Sequence, residues 1–195
     1  MNRHFQSSDQ PLFLYVQTMA AHGPYDKQYK PDELVPGGGS GTSADMNEYL
    51  RRVGMAKRDW DFLIAEIKRR FPAEPILIVR YGDHQPITTL PLLERARAEH
   101  RSGVLEGPIP DPFVTFYAMS GNDFIVPPLP DYDVLDVAYL STIILEAAGL
   151  PLSEAQRERE RVMAVCEGQY SDCEQRDQIL VFNRRLINSG LVRAQ

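Results

Sequence analysis

Residues 76–86, ILIVRYGDHQP, decide how the rest of the chain is read. A short, nearly continuous apolar and β-branched run ends abruptly in Gly-Asp-His-Gln-Pro. Apolar on both faces, such a run predicts a buried strand in a sheet covered on two sides, not a strand with one face in water. The same grammar occurs earlier: PLFLYVQTM at 11–19 runs into the polar turn AAHGPYD at 20–26. Between the two, Met46, Leu50, Val53, Trp60, Leu63 or Ile64, Ile67 and Phe71 recur at threes and fours. They predict a helix over 45–71, with Asp45 as N-cap and Pro72 as its stop. Towards the C-terminus the pattern continues with a charged helix over 90–101 and a third strand in PFVTFYAMSG, 112–121. A helix over 134–149 is closed by Gly149 and Pro151, and Ser153 with Gln156 forms a capping box that opens a charged helix to about 165. A last amphipathic helix over 174–190 ends at Gly190. Strands alternating with helices predict an α/β fold with a partly parallel sheet covered by helices.

Composition narrows the function classes. The 195 residues are 43% hydrophobic and 25% charged, ordinary for a globular chain and wrong for a disordered or collagenous one. No run of 18 apolar residues exists, so nothing in the sequence spans a bilayer. A net charge of −6 argues against nucleic acid as a partner, because that needs a basic face. Residues 1–10 are polar, lack an apolar signal-peptide core and are expected to be disordered or tag-like. The PGGGSGTS stretch within 31–44 is a flexible loop; no Gly-Lys-Ser/Thr follows it, so it is not a phosphate-cradling loop.

Two strand-end turns carry candidate chemistry, because ligands of α/β sheets collect beyond the carboxyl ends of strands. His22 lies between Ala21 and a Gly-Pro turn; it is either a surface histidine or a donor and general acid. Asp83 and His84 are adjacent, a carboxylate and an imidazole that suit zinc or manganese if the backbone turns there, with Gly82 supplying that freedom. Read alone, a DH pair is more often an ordinary polar turn. Arg80, inside an apolar strand, is an edge residue or a buried anion contact. His4 and His100 lie in polar surroundings and read as solvated, and the Arg/Glu run at 157–161 reads as a solvated helix face. Cys166 and Cys173, in CEGQYSDC, are not a CxxC pair: they are two reduced thiols or a disulfide closing a polar turn.

With both turns in view, the chain resembles the carboxyl-terminal part of the sulfatase-like branch of the alkaline phosphatase superfamily, nearest to lipoteichoic acid synthase and the phosphoglycerol and phosphoethanolamine transferases. That family has an apolar strand running into a His-bearing turn, then a helix, then a strand ending in Gly-Asp-His. Here His22 and Asp83 are 61 residues apart, and DVAYLSTIILEAAGLP resembles the helix after the family's last core strand. The resemblance covers roughly 11–152. It implies Asp83 and His84 as ligands of a divalent metal, zinc or manganese favoured, with magnesium and calcium also suited. It implies His22 as the group that contacts the transferred phosphate or sulfate and assists the leaving group. It further implies an ester substrate of the cell envelope, a parent protein that is membrane-anchored or periplasmic, and hence a Cys166–Cys173 disulfide.

The chain departs from that family in having no visible nucleophile and no sulfatase signature, and few residues precede the first expected strand. The expectation is therefore a partial active site, metal-dependent hydrolase or phosphotransferase in class, inactive by itself without the amino-terminal half of the domain. Its organisation would be a tail at 1–10, a sulfatase-like core at 11–152 and a helical extension at 153–195. The alternative is a non-catalytic α/β binding or interaction module. The first reading expects His22, Asp83 and His84 to converge at neighbouring parallel strand ends.

Overall fold

The computed structural model of the chain describes residues 1, 4, 7, 8, 10–39, 41–104 and 113–191. Parts of the expected 1–10 tail, and Pro112 at the head of the expected third strand, lie outside these residues. The chain divides into two compact units, Met1–Ala65 with Pro86–Ile109, and Glu66–Gln85 with Pro110–Gln195.

The first unit holds a 3-10 turn at Pro36–Gly38, nearly all of helix α1 (Ala44–Arg70), a second 3-10 turn at Ile87–Thr89 and helix α2 (Leu90–Arg101). Helix α1 starts one step before the expected cap. The Ser43 hydroxyl accepts the Met46 N–H at 3.1 Å, so Ser43 caps the helix, and Asp45 sits inside the first turn, where its charge favours the helix dipole. Its last turn is basic, with Lys68, Arg69 and Arg70, as the dipole prefers. The expected apolar stripe holds at Met46 and Ile67, which are buried, and fails at Val53 and Leu63, which are exposed. In their place the helix buries Glu48, Arg51 and Met55.

The run at 11–19 departs furthest from expectation. It belongs to no strand, and Phe13 is 86% and Val16 67% exposed. A run apolar on both faces is stable as a strand only with ladder partners on its edges and cover on both sides. Hydrophobic pattern supplies the cover preference but not the partner.

In the second unit β1 (Ile76–Tyr81) pairs with β2 (Tyr117–Asn122) in antiparallel register, Ile76 opposite Asn122 and Tyr81 opposite Tyr117. The fold is thus mixed helix and strand, and the expected parallel sheet is not formed; among the described residues the sheet is this one pair. A parallel arrangement needs a crossover that returns the chain to the same end, whereas the 82–116 connection brings β2 back in the opposite sense. Asn122 fixes the register: its buried amide donates to Phe71 O at 2.7 Å and Glu74 O at 2.9 Å, in the turn that leads into β1.

Three helices complete the unit: α3 (Val137–Ala147), α4 (Glu154–Val165) and α5 (Arg176–Asn188). Asp136 caps α3 through the Ala138 N–H, and its other oxygen holds Ser171. The Ser153 and Gln156 capping box of α4 is formed in both directions. Their shared core is Tyr139, Ile143, Val162, Met163, Phe182 and the Cys166–Cys173 disulfide, with Met119 of β2 packed against it. The disulfide joins the end of α4 to the approach of α5. In the 157–161 run, Glu158 bridges Arg161 and Arg185, so part of that face ties α4 to α5 and is not simply solvated. Glu160 hydrogen-bonds Glu146 of α3, and both line a cavity of about 500 Å³ together with Pro127, Pro128 and Tyr132. Burial, then the hydrogen bond and charge of Glu160, hold the Glu146 carboxyl above its usual range. Among the described residues no helix is long and apolar enough to cross a membrane.

Candidate functional site

In the first unit His22 stands at the head of a loop without regular structure, 20–33, and is exposed. Such a loop leaves backbone donors and acceptors that water or side chains must satisfy. Helix α1 satisfies four of them. Arg52 donates from Nη1 to His22 O at 2.7 Å and from Nη2 to Lys27 O at 2.9 Å. Glu48 accepts the Tyr29 N–H at 2.7 Å, and Arg51 Nε donates to Glu33 O at 2.8 Å. The three side chains are joined: Arg52 Nε donates to Glu48 Oε1 at 2.7 Å, and Arg51 Nη1 pairs with Glu48 Oε2. Glu48 is 2% exposed. Burial alone would raise its pKa, but the Tyr29 N–H and the two guanidiniums outweigh burial and hold the carboxyl below its usual range. Tyr25 closes the loop: its hydroxyl donates to Ala21 O at 2.8 Å, its ring meets Tyr49 edge-on, and the Arg52 guanidinium lies 5.3 Å from its ring centre. The Gly23–Pro24 peptide is cis.

The His22 ring is oriented by its own backbone. Nδ1 lies 2.7 Å from Gly23 O, an atom that can only accept, so Nδ1 carries the hydrogen. In the neutral ring Nε2 is then bare.

In the second unit Asp83 and His84 follow β1 directly and are exposed, their side chains 72% and 64% accessible. Gly82 continues the pairing for one more step, its N–H donating to Phe116 O at 3.0 Å. It does not use left-handed backbone, which corrects the expectation that Gly82 supplies turning freedom. Its role is space: a Cβ there would run into the Thr115 hydroxyl. Asp83 Oδ1 accepts the His84 N–H at 2.9 Å, and His84 Nδ1 donates to Gln85 O at 3.2 Å. These bonds leave Asp83 Oδ2 and His84 Nε2 facing each other at 3.6 Å, too far for a hydrogen bond. Gln85 staples the turn by donating from Nε2 to Val114 O at 3.1 Å. Arg80 is half-buried, and its guanidinium lies 4.8 Å from the Phe116 ring centre, a cation–π contact.

His22 therefore belongs to one unit and the Asp83 and His84 pair to the other. Among the described residues no group of three or more His, Cys, Asp and Glu side chains is disposed around a common metal position. Sequence reading missed Glu48, Arg51 and Arg52. Their spacing, i, i+3 and i+4, lets the three side chains meet, but they lie on the helix face opposite the expected apolar stripe, where charges read as solvated. No family model matches the chain, and no curated protein or solved structure matches it.

Proposed function

We propose that the chain is the carboxyl-terminal portion of a metal-dependent hydrolase or phosphotransferase acting on phosphate or sulfate esters, with Asp83 and His84 as metal ligands and His22 as the group that meets the transferred oxyanion. The observation that carries the reading is the Asp83 and His84 pair. An oxygen and a bare imidazole nitrogen 3.6 Å apart have nearly the ligand spacing of a tetrahedral zinc edge, about 3.4 Å for bonds near 2.1 Å. The His84 Nδ1–H on a backbone carbonyl is the arrangement that ligating histidines use to fix the ring. One carboxylate and one imidazole are borderline donors, suited to zinc or manganese.

A divalent cation bound there supplies positive charge against the negative charge that develops on the transferring group. The chain's own residues do the rest that can be assigned. Asp83 and His84 would hold the cation; His22, its Nδ1–H committed to Gly23 O, would carry a second proton at Nε2 and give that one to the leaving oxygen. The nucleophilic hydroxyl implied by the resemblance is assigned to no residue of this chain. Exposed apolar residues at 12–19 support a further part of the domain as their cover.

The test is calorimetric. Zinc should bind the chain more weakly than a complete three- or four-ligand site, and Asp83→Ala should abolish the binding. Inorganic phosphate or sulfate should bind only the zinc-loaded chain, and His22→Ala should weaken that step alone. Equal zinc binding by wild type and Asp83→Ala overturns the reading. Turnover of an aryl phosphate by this chain, lost in Asp83→Ala, overturns its partial character while leaving the metal pair standing.

A further inference from the structure

We propose that Arg52, buttressed by Glu48, is the positioning residue that fixes which nitrogen His22 presents. The inference rests on the reading of His22 as a functional group and adds a device that sets its chemistry.

Arg52 uses three of its five donors on three different acceptors: Glu48 Oε1, His22 O and Lys27 O. Only a planar fork can do this; an ammonium is a point charge on a flexible stem. The fork pulls the two ends of the 22–27 turn onto one side chain, with the Tyr25 ring lying beneath the guanidinium. The His22 carbonyl is held by Arg52, so the peptide that follows it is held too. The next carbonyl, Gly23 O, is the one that receives the His22 Nδ1–H. Turn that peptide and the Nδ1 contact is lost. Glu48 is in turn held in place by the Tyr29 N–H and Arg51 in a buried setting.

The chemical consequence is specific. A free neutral imidazole in water favours the hydrogen on Nε2. In this loop the hydrogen is on Nδ1 and Nε2 is the open position, so the proton given or taken by His22 travels through Nε2 and no other atom. Arg52 touches neither substrate nor metal in this scheme; it acts through the backbone of His22.

The experiment is the ring nitrogen spectrum of His22 in the full chain, recorded above its titration range, in wild type, Arg52→Met and Arg52→Lys. The wild type should show the Nδ1–H form as the major tautomer. Arg52→Met, which keeps the apolar stem and helix propensity, should return Nε2–H to the major form, and Arg52→Lys should lie between. If Arg52→Met fails to fold by circular dichroism, Glu48→Gln is read in its place, with the same reversal expected. A wild type with Nε2–H as the major form overturns the proposal. So does a folded Arg52→Met whose thermal stability falls while the tautomer ratio stays unchanged, since a merely structural anchor would do that. None of these readouts needs metal, phosphate or turnover, so failure of the hydrolase reading would appear in the calorimetry and not here.

Discussion

Glu48 is a buried carboxyl and Glu146 a half-buried one, and their surroundings push them in opposite directions. Glu48 meets an N–H and two guanidiniums and is held ionised; Glu146 meets burial and another carboxylate and holds its proton longer. The titratable groups that line the cavity around Glu146 are Glu160 and Tyr132, and its lining contains no Lys, Arg or His to offset the charge. A carboxyl raised in the folded state binds a proton that the unfolded chain has released, so folding is favoured at acidic pH and this contribution is lost as pH rises through the raised value. Glu146→Gln should therefore raise the melting temperature at neutral pH, with the gain shrinking below the usual carboxyl range. Melting curves of both proteins from pH 4 upward check this; parallel curves at every pH would contradict it. Neither carboxyl was legible in sequence, since Glu160, the partner of Glu146, sits in a run that reads as solvent-facing, and Glu48 lies on the face of α1 opposite the expected apolar stripe. A side chain's partners across space decide its charge state, and local pattern does not encode them.

At the scale of elements, what local chemistry controls was legible and what pairing controls was not. The α4 capping box, the stop of α1 before Pro72 and the bounds of α2 follow from residues within one turn of each other, and they stand where the spacing put them. The run at 11–19 and the parallel sheet required partners far along the chain, and both expectations failed. Gly82 shows the same limit: its value lies in the approach of Thr115, 33 positions away. Gly82→Ala should cost about 1–3 kcal/mol through overpacking. Gly82→Ala combined with Thr115→Ala should recover most of that loss, which denaturant unfolding of the single and double variants can measure. The Cys166–Cys173 bond belongs to this scale as well, because it closes a seven-residue separation between α4 and α5. The chain-entropy account gives it about 2–3 kcal/mol. Reduction should lower the melting temperature accordingly, and alkylation without reductant should find no free thiol in protein folded under oxidising conditions.

Across the whole molecule, the candidate chemistry is divided between two units, each building its own turn by its own means. In the first, a buried ion cluster on α1 holds His22; in the second, a strand pair and the Gln85 staple hold Asp83 and His84. The candidate residues were picked out by type, order and spacing alone. How they are held was not legible, because Arg52, Glu48 and Thr115 act through contacts distant in sequence. The central claim is that Asp83 and His84 together take a divalent cation, and manganese provides its most direct test. Added in substoichiometric amounts to the full chain, it should broaden the ring proton signals of His84 well before those of His4 and His100, and Asp83→Ala should remove that selectivity. Broadening of His84 no greater than that of His4 and His100, or identical in Asp83→Ala, would contradict the account.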